Sequence, residues 1–253
     1  MSPLAKSLVV FACICGGALL GMFLRHALPG QHLNSDTKDV VRLGTGLVGT
    51  IAALVLGLLI ASAKTSFDTQ STQIKQLTAN IILLDGFLAQ YGSETAPARA
   101  QMRRGIGTMI ERIWRENTSD LQKQAPFAAS RESEEFIGLL QRLSPRDDAQ
   151  RSLQDRVIQA GTEIFKTRLL LFVHDVEPIP IPFLIVLVFW LTIIFASFSL
   201  FAQPNAVVFS ALLVFALSAA GAVFLILELG QPFAGLMQIS DEPLRNALVP
   251  LSP

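Results

Sequence analysis

The three histidines His26, His32 and His174 are the side chains that titrate nearest neutral pH, and none stands in a catalytic pattern. The sequence has no Gly-x-Ser-x-Gly elbow, Walker loop, Gly-x-Gly-x-x-Gly fingerprint or His-Glu-x-x-His zinc motif. We therefore predict that the protein is not an enzyme and that it carries no catalytic cofactor.

Small residues recur at every fourth position of one apolar stretch. They are Gly49, Ala53, Gly57 and Ala61, with Gly46 and Thr50 adjoining. Small side chains at this spacing let two membrane helices approach closely. The same stripe is also suited to lining a pore in an oligomer, and both interpretations hold if different edges of the stripe face a neighbour and a lumen. The pore-lining candidates are Gly46, Thr50, Ala53, Gly57 and Ala61.

Three acidic residues stand at the ends of apolar stretches: Asp175, Glu177 and Glu228. Repeated around a symmetry axis, they would form acidic rings that concentrate cations at a channel mouth, with a bound divalent cation as a candidate ligand. The alternative is that each carboxylate reaches the membrane surface or pairs with an arginine.

Pro178, Pro180 and Pro182 alternate with other residues just before the third apolar stretch. Each proline lacks a backbone N–H and disfavours helical geometry in the residue before it. We expect a stiff connector here. A gate or constriction is the functional alternative.

Four uncharged stretches are long enough to cross the hydrocarbon of a bilayer, which takes about 20 residues. They run over Ser7–Leu24, Leu43–Ala63, Phe183–Phe201 and Ala206–Leu227. The composition agrees with residence in lipid, because 51% of the chain is hydrophobic and only 16% is charged. The net charge is zero, which disfavours nucleic-acid binding.

Four crossings place both termini and the segment between the second and third spans on one side of the membrane. Of the 20 basic residues, Arg25, Lys38 and Arg42 alone fall in the two opposite loops. Because basic residues accumulate on the cytoplasmic side, we predict a bacterial inner-membrane protein with cytoplasmic termini.

The middle segment, residues 64–177, has the polarity typical of a domain in water. Apolar residues at positions 74, 77, 81, 84, 88 and 91 predict an amphipathic helix that continues the second span and ends at Gly92. Further helices are expected over Ala96–Glu116, Ser133–Leu143 and Asp147–Val173. We divide the chain into a first span pair (1–63), a cytoplasmic helical domain (64–177), a second span pair (178–228) and a cytoplasmic C-terminal segment (229–253).

Several segments resemble the bestrophin-like domain family of uncharacterised membrane proteins: Pro180–Leu191, Phe195–Phe198, Glu228–Phe233 and Ile239–Arg245, with Leu43–Thr50 and Ile74–Asp85. Members of that family often carry an acid where this sequence has Gly230, which argues against a metal role for that turn. The resemblance extends in layout to bestrophins, which are pentameric ion channels with four spans and a helical insert between the second and third.

The resemblance implies an all-α, four-span membrane protein with a helical cytoplasmic domain inserted between the second and third spans. It also implies a homo-oligomer, a pentamer, that conducts ions through a pore lined by the second helix. The acidic mouth favours cations. The expected partners are the lipid bilayer, further copies of the chain and ions. The alternative function is a membrane-anchored interaction or signalling scaffold without transport activity.

Overall fold

The computed structural model describes residues 2–29, 34–114, 134–173, 181–203 and 205–248, and every regular element among them is helical. This confirms the all-α prediction. In chain order the elements are α1 (Pro3–Ala27), α2 (Ser35–Tyr91), a 3-10 turn (Ser93–Thr95), α3 (Ala96–Trp114), α4 (134–141), α5 (Asp148–Val173), α6 (Ile181–Phe201), α7 (Ala206–Leu229) and α8 (Glu242–Leu248).

Four of the described helices, α1, α2, α6 and α7, are long and apolar enough to cross a membrane. Each contains one of the four predicted spans. The longest is α2, whose 57 residues correspond to about 85 Å of helix. It runs without a break from the predicted second span into the amphipathic stretch that follows.

The chain forms two compact units. The membrane unit comprises Met1–Phe67 and Glu177–Gln231, and the second unit comprises Asp68–Val176 and Pro232–Pro253. The membrane unit has a core in which α1 packs against α6 and α7. Ile14, Leu187, Val223 and Ile226 are fully enclosed in that core.

The second unit contains the C-terminal part of α2, from Asp68 to Tyr91. The apolar residues predicted to form one face of this segment are all buried: Ile74, Leu77, Ile81, Leu84, Leu88 and Tyr91. The other helices of this unit also bury apolar side chains: Met109 and Ile110 from α3, Leu140 from α4 and Val157 from α5. A pattern with a period of three to four residues therefore identified the buried face correctly.

Several helix ends are fixed by a glycine or by a capping side chain. Gly92 terminates α2 with φ of 126°, a conformation that strains residues with a side chain. The Asp147 carboxylate accepts a hydrogen bond from the backbone N–H of Gln150 at 2.7 Å and caps α5. The Ser240 hydroxyl accepts one from the N–H of Glu242 at 3.1 Å at the start of α8.

Some predicted boundaries differ from the structure. The predicted helix Ser133–Leu143 is helical over 134–141, and residue 133 lies outside the described residues. Residues 115–116 of the predicted helix Ala96–Glu116 also lie outside them, and the described part of α3 ends at Trp114. Helix α6 begins at Ile181, so Pro182 lies in its first turn rather than in a connector. A first-turn proline is tolerated because that N–H has no partner within the helix.

Candidate functional site

The membrane part of α2 presents three different faces. The face turned into the membrane unit carries the buried residues Thr45, Ala52, Leu59 and Ala63. The predicted pore-lining residues Gly46, Thr50, Ala53, Gly57 and Ala61 are all exposed on a second face. At 100° per residue, the centres of these two faces lie about 135° apart around the helix.

A third face of α2 is exposed and bulky. It carries Leu43, Leu47, Ile51, Leu54 and Leu58, and its centre lies about 80° from that of the small-residue stripe. The small residues therefore lie between a core-facing side and a side made of large apolar residues, both on the same helix.

The glycines of the small-residue stripe are not closely packed against any other described part of the chain. A Cβ atom placed on Gly46 or Gly57 would meet no other atom within 4 Å, and one on Gly49 would reach only the Ile194 Cδ1 atom at 4.0 Å. Thr50 bonds back to its own helix, since its hydroxyl donates to the Gly46 carbonyl at 3.0 Å. Among the described residues of the membrane unit, no helix packs closely against these glycines.

Close helix packing occurs instead between α1 and α6. A Cβ on Gly17 would lie 2.6 Å from the backbone oxygen of Thr192, and one on Gly21 would overlap the backbone oxygen of Ala196. The signal was present in the sequence, because Gly17 and Gly21 are separated by three residues, the spacing of the most compact membrane helix pairs. We did not predict this close contact from the sequence.

Glu228 lies at the C-terminal end of α7 and is only 4% exposed. Its neighbours Ile226, Leu227 and Leu229 belong to the apolar core of the membrane unit. Its backbone carbonyl accepts a hydrogen bond from the N–H of Gln231 at 3.0 Å, which turns the chain after the helix. The carboxylate is therefore enclosed by its own chain rather than displayed on the surface of the subunit.

Most of the other predicted mouth and gate residues lie outside the described residues. Asp175, Glu177, Pro178 and Pro180 lie outside the described residues, and Pro182 is part of α6. Within the described ranges, no group of three or more His, Cys, Asp or Glu side chains is arranged to hold a metal ion. The divalent-cation site stays a prediction.

Two contacts that the sequence did not predict order the second unit. The Arg99 guanidinium donates two hydrogen bonds to the Asp85 carboxylate, at 2.6 and 3.0 Å, and joins α3 to α2. This carboxylate holds the pKa of Arg99 above its usual range. The Trp114 indole N–H donates to the carbonyl of Ile239 at 2.7 Å, and its ring packs edge-on against Phe233 at 5.4 Å.

Comparison with known proteins identifies the family of the chain. A family model described as the bestrophin-like domain matches residues 12–244. No curated protein sequence matches the chain.

Two solved structures share the fold. Both are bacterial bestrophin homologues from Klebsiella pneumoniae, one with an isoleucine-to-threonine and one with a tryptophan-to-alanine substitution. The first is 12% identical, with a TM-score of 0.66, over 96% of this chain and 97% of that one. The second is 14% identical, with a TM-score of 0.67, over 99% of this chain and 96% of that one.

Proposed function

The chain belongs to the bestrophin-like domain family, and on that basis we propose that it forms a homo-oligomeric ion channel in the bacterial inner membrane. The family and the bestrophin-type fold suggest a channel type of function, and the four apolar helices indicate an integral membrane protein. In the proposed assembly, five copies surround a central pore, and both termini of each copy are cytoplasmic.

The observation that carries the proposal is the exposed small-residue stripe of α2. Its glycines make no close packing contact with the described residues of the chain, and the stripe faces away from the buried side of the helix. Small side chains next to a lumen leave room for hydrated ions. We therefore assign the lumen to Gly46, Thr50, Ala53, Gly57 and Ala61.

The bulky face of α2 is the alternative candidate for the pore lining. Leu47, Leu54 and Leu58 are also exposed, and apolar side chains of this size form constrictions that gate by excluding water. If these leucines line the lumen, the small residues face the neighbouring subunit. The two arrangements make opposite predictions about which side chains meet water.

Cation conduction is the proposed selectivity, with Asp175, Glu177 and Glu228 as the acids of the cytoplasmic mouth and a divalent cation as a candidate ligand. The enclosed position of Glu228 means that its charge would act through the electric field rather than by direct contact with a passing ion. Fields of this kind are strong where low-dielectric walls surround a narrow path.

Cysteine accessibility in reconstituted channels tests the pore assignment. In a background with Cys13→Ala and Cys15→Ala, we would introduce Ala53→Cys, Gly57→Cys or Ala61→Cys and add a water-soluble cationic thiol reagent during current recording. The expected result is rapid modification that reduces the current. The matched controls are Leu54→Cys and Leu58→Cys, one residue along the same helix, which should react slowly.

The opposite pattern, with fast block at the leucine positions and none at the small-residue positions, would reassign the lumen to the bulky face. Purified chain that passes no ions in lipid bilayers, with the fold intact, would contradict the channel itself and favour the scaffold function.

A further inference from the structure

A cavity of about 200 Å³ lies in the second unit between α2, α3, α4 and α5. It does not belong to the proposed pore. Its apolar wall includes Ile81, Leu84, Met102, Met109, Phe136 and Phe165.

The charge on the cavity wall has one sign. Arg104 and Arg168 line the cavity, and among the described residues no Asp or Glu does. Arg104 is exposed and forms no ion pair with any residue in the described part of the chain. An apolar interior beside a cationic rim fits a ligand with an apolar body and a negative end.

The volume limits the size of that ligand. A cavity of about 150 Å³ holds a benzene molecule, so this cavity holds an apolar body of about eight non-hydrogen atoms. The long acyl chains of a membrane lipid exceed this several-fold. The wall also favours a ring, since Phe136 and Phe165 offer edge-on aromatic packing and Met102 and Met109 offer sulfur–aromatic contacts.

We propose that this cavity binds a small aromatic monocarboxylate, with the ring among the phenylalanine and methionine side chains and the carboxylate at the Arg104 guanidinium. Binding at this site requires no ion conduction. Failure of the channel proposal would therefore leave the binding proposal standing, and the reverse also holds.

Two glycines of α3 provide a matched test of the cavity. A Cβ on Gly105 or on Gly107 meets no atom within 4 Å, so a larger side chain is tolerated at both positions. Gly105 lines the cavity, whereas Gly107 does not. Gly105→Leu should therefore fill the cavity, and Gly107→Leu should leave it open with a similar change in helix propensity.

The measurement is fluorine NMR of fluorobenzoate added to the purified full-length protein in detergent. The expected result is line broadening that depends on protein concentration, persists with Gly107→Leu and disappears with Gly105→Leu. The same variants in the same detergent correct for partitioning of the probe into micelles. Equal broadening in both variants, or none with the unmodified protein, would overturn the proposal.

The charge at the rim is tested separately. Arg104→Gln should weaken fluorobenzoate binding by about tenfold, because a charge-assisted hydrogen bond is lost at an exposed site. Arg103→Gln removes the same charge from the neighbouring position, which does not line the cavity, and should leave affinity unchanged. The neutral analogue fluorobenzyl alcohol should bind about tenfold more weakly than fluorobenzoate. An alcohol that binds as tightly as the acid would refute recognition of a carboxylate.

Discussion

Gly21 of α1 occupies a position where no side chain fits. The backbone oxygen of Ala196 on α6 lies where a Cβ would be, and a backbone atom cannot rotate away as the end of a flexible side chain can. Gly21→Ala should therefore separate the two helices and lower the free energy of unfolding by about 1–3 kcal/mol, the usual cost of overpacking.

The measurement is the thermal unfolding midpoint of the detergent-solubilised protein, followed by tryptophan fluorescence. Gly16→Ala is the control on the same helix, because a Cβ at Gly16 meets no atom within 4 Å and its position is exposed. Its midpoint should be unchanged or slightly higher. A Gly21→Ala protein as stable as the Gly16→Ala protein would show that α1 and α6 are not packed this closely.

Glu228 tests the origin of the proposed cation preference. If its carboxylate contributes to the potential at the channel mouth, Glu228→Gln should move the reversal potential in a salt gradient toward that of a less cation-selective pore. The control is Glu242→Gln, an exposed acid at the start of α8. Unchanged selectivity in the Glu228→Gln channel would remove this residue from the mechanism and leave Asp175 and Glu177 as the acids to examine.

Helix α2 shows how far local patterns predict an element. The spacing of Ile74, Leu77 and Ile81 predicted its buried face, and Gly92 predicted its end. Both predictions depend on neighbours within a few turns, which the sequence contains. The start of α6 was predicted two residues late, since Pro182 was treated as a break although a first-turn proline keeps the helix intact.

Contacts between distant parts of the chain were not predictable in this way. The hydrogen bond from Trp114 to Ile239 joins residues 125 positions apart, and neither residue belongs to a repeating pattern. The small-residue stripes illustrate the same limit. The spacing of residues showed that one face of α2 is lined by small side chains, and the spacing of Gly17 and Gly21 shows the same for α1. Spacing does not indicate whether such a face contacts another helix, another subunit or a lumen.

At the scale of the whole molecule, the chain keeps the bestrophin fold at an identity of 12–14% with its structural neighbours. Identity this low indicates that the order of apolar and polar segments, rather than individual residues, specifies the architecture. That order was readable from the sequence. The number of subunits cannot be predicted from the sequence in this way, because association depends on surfaces that a single chain leaves exposed.

One such surface lies on α2 beyond the predicted span. Ile82 is 53% exposed and Leu83 is 52% exposed in the second unit, although both are large apolar residues in a segment expected to meet water. Because about half of each side chain is already buried, covering the rest in a subunit interface would contribute about 0.8–1.5 kcal/mol per residue. We therefore expect these side chains to lie between neighbouring copies of the chain.

The measurement is the mass of the detergent-solubilised particle by mass photometry, with electron microscopy to count subunits and locate an axial path. The expected mass is five times that of one chain. Ile82→Asp combined with Leu83→Asp should shift the distribution toward smaller particles, because each carboxylate would be buried without a partner. Ala89→Asp combined with Gln90→Asp adds the same two charges at exposed positions of the same helix and should leave the mass unchanged. A wild-type particle with the mass of a single chain would contradict the ring, and with it a pore formed between subunits.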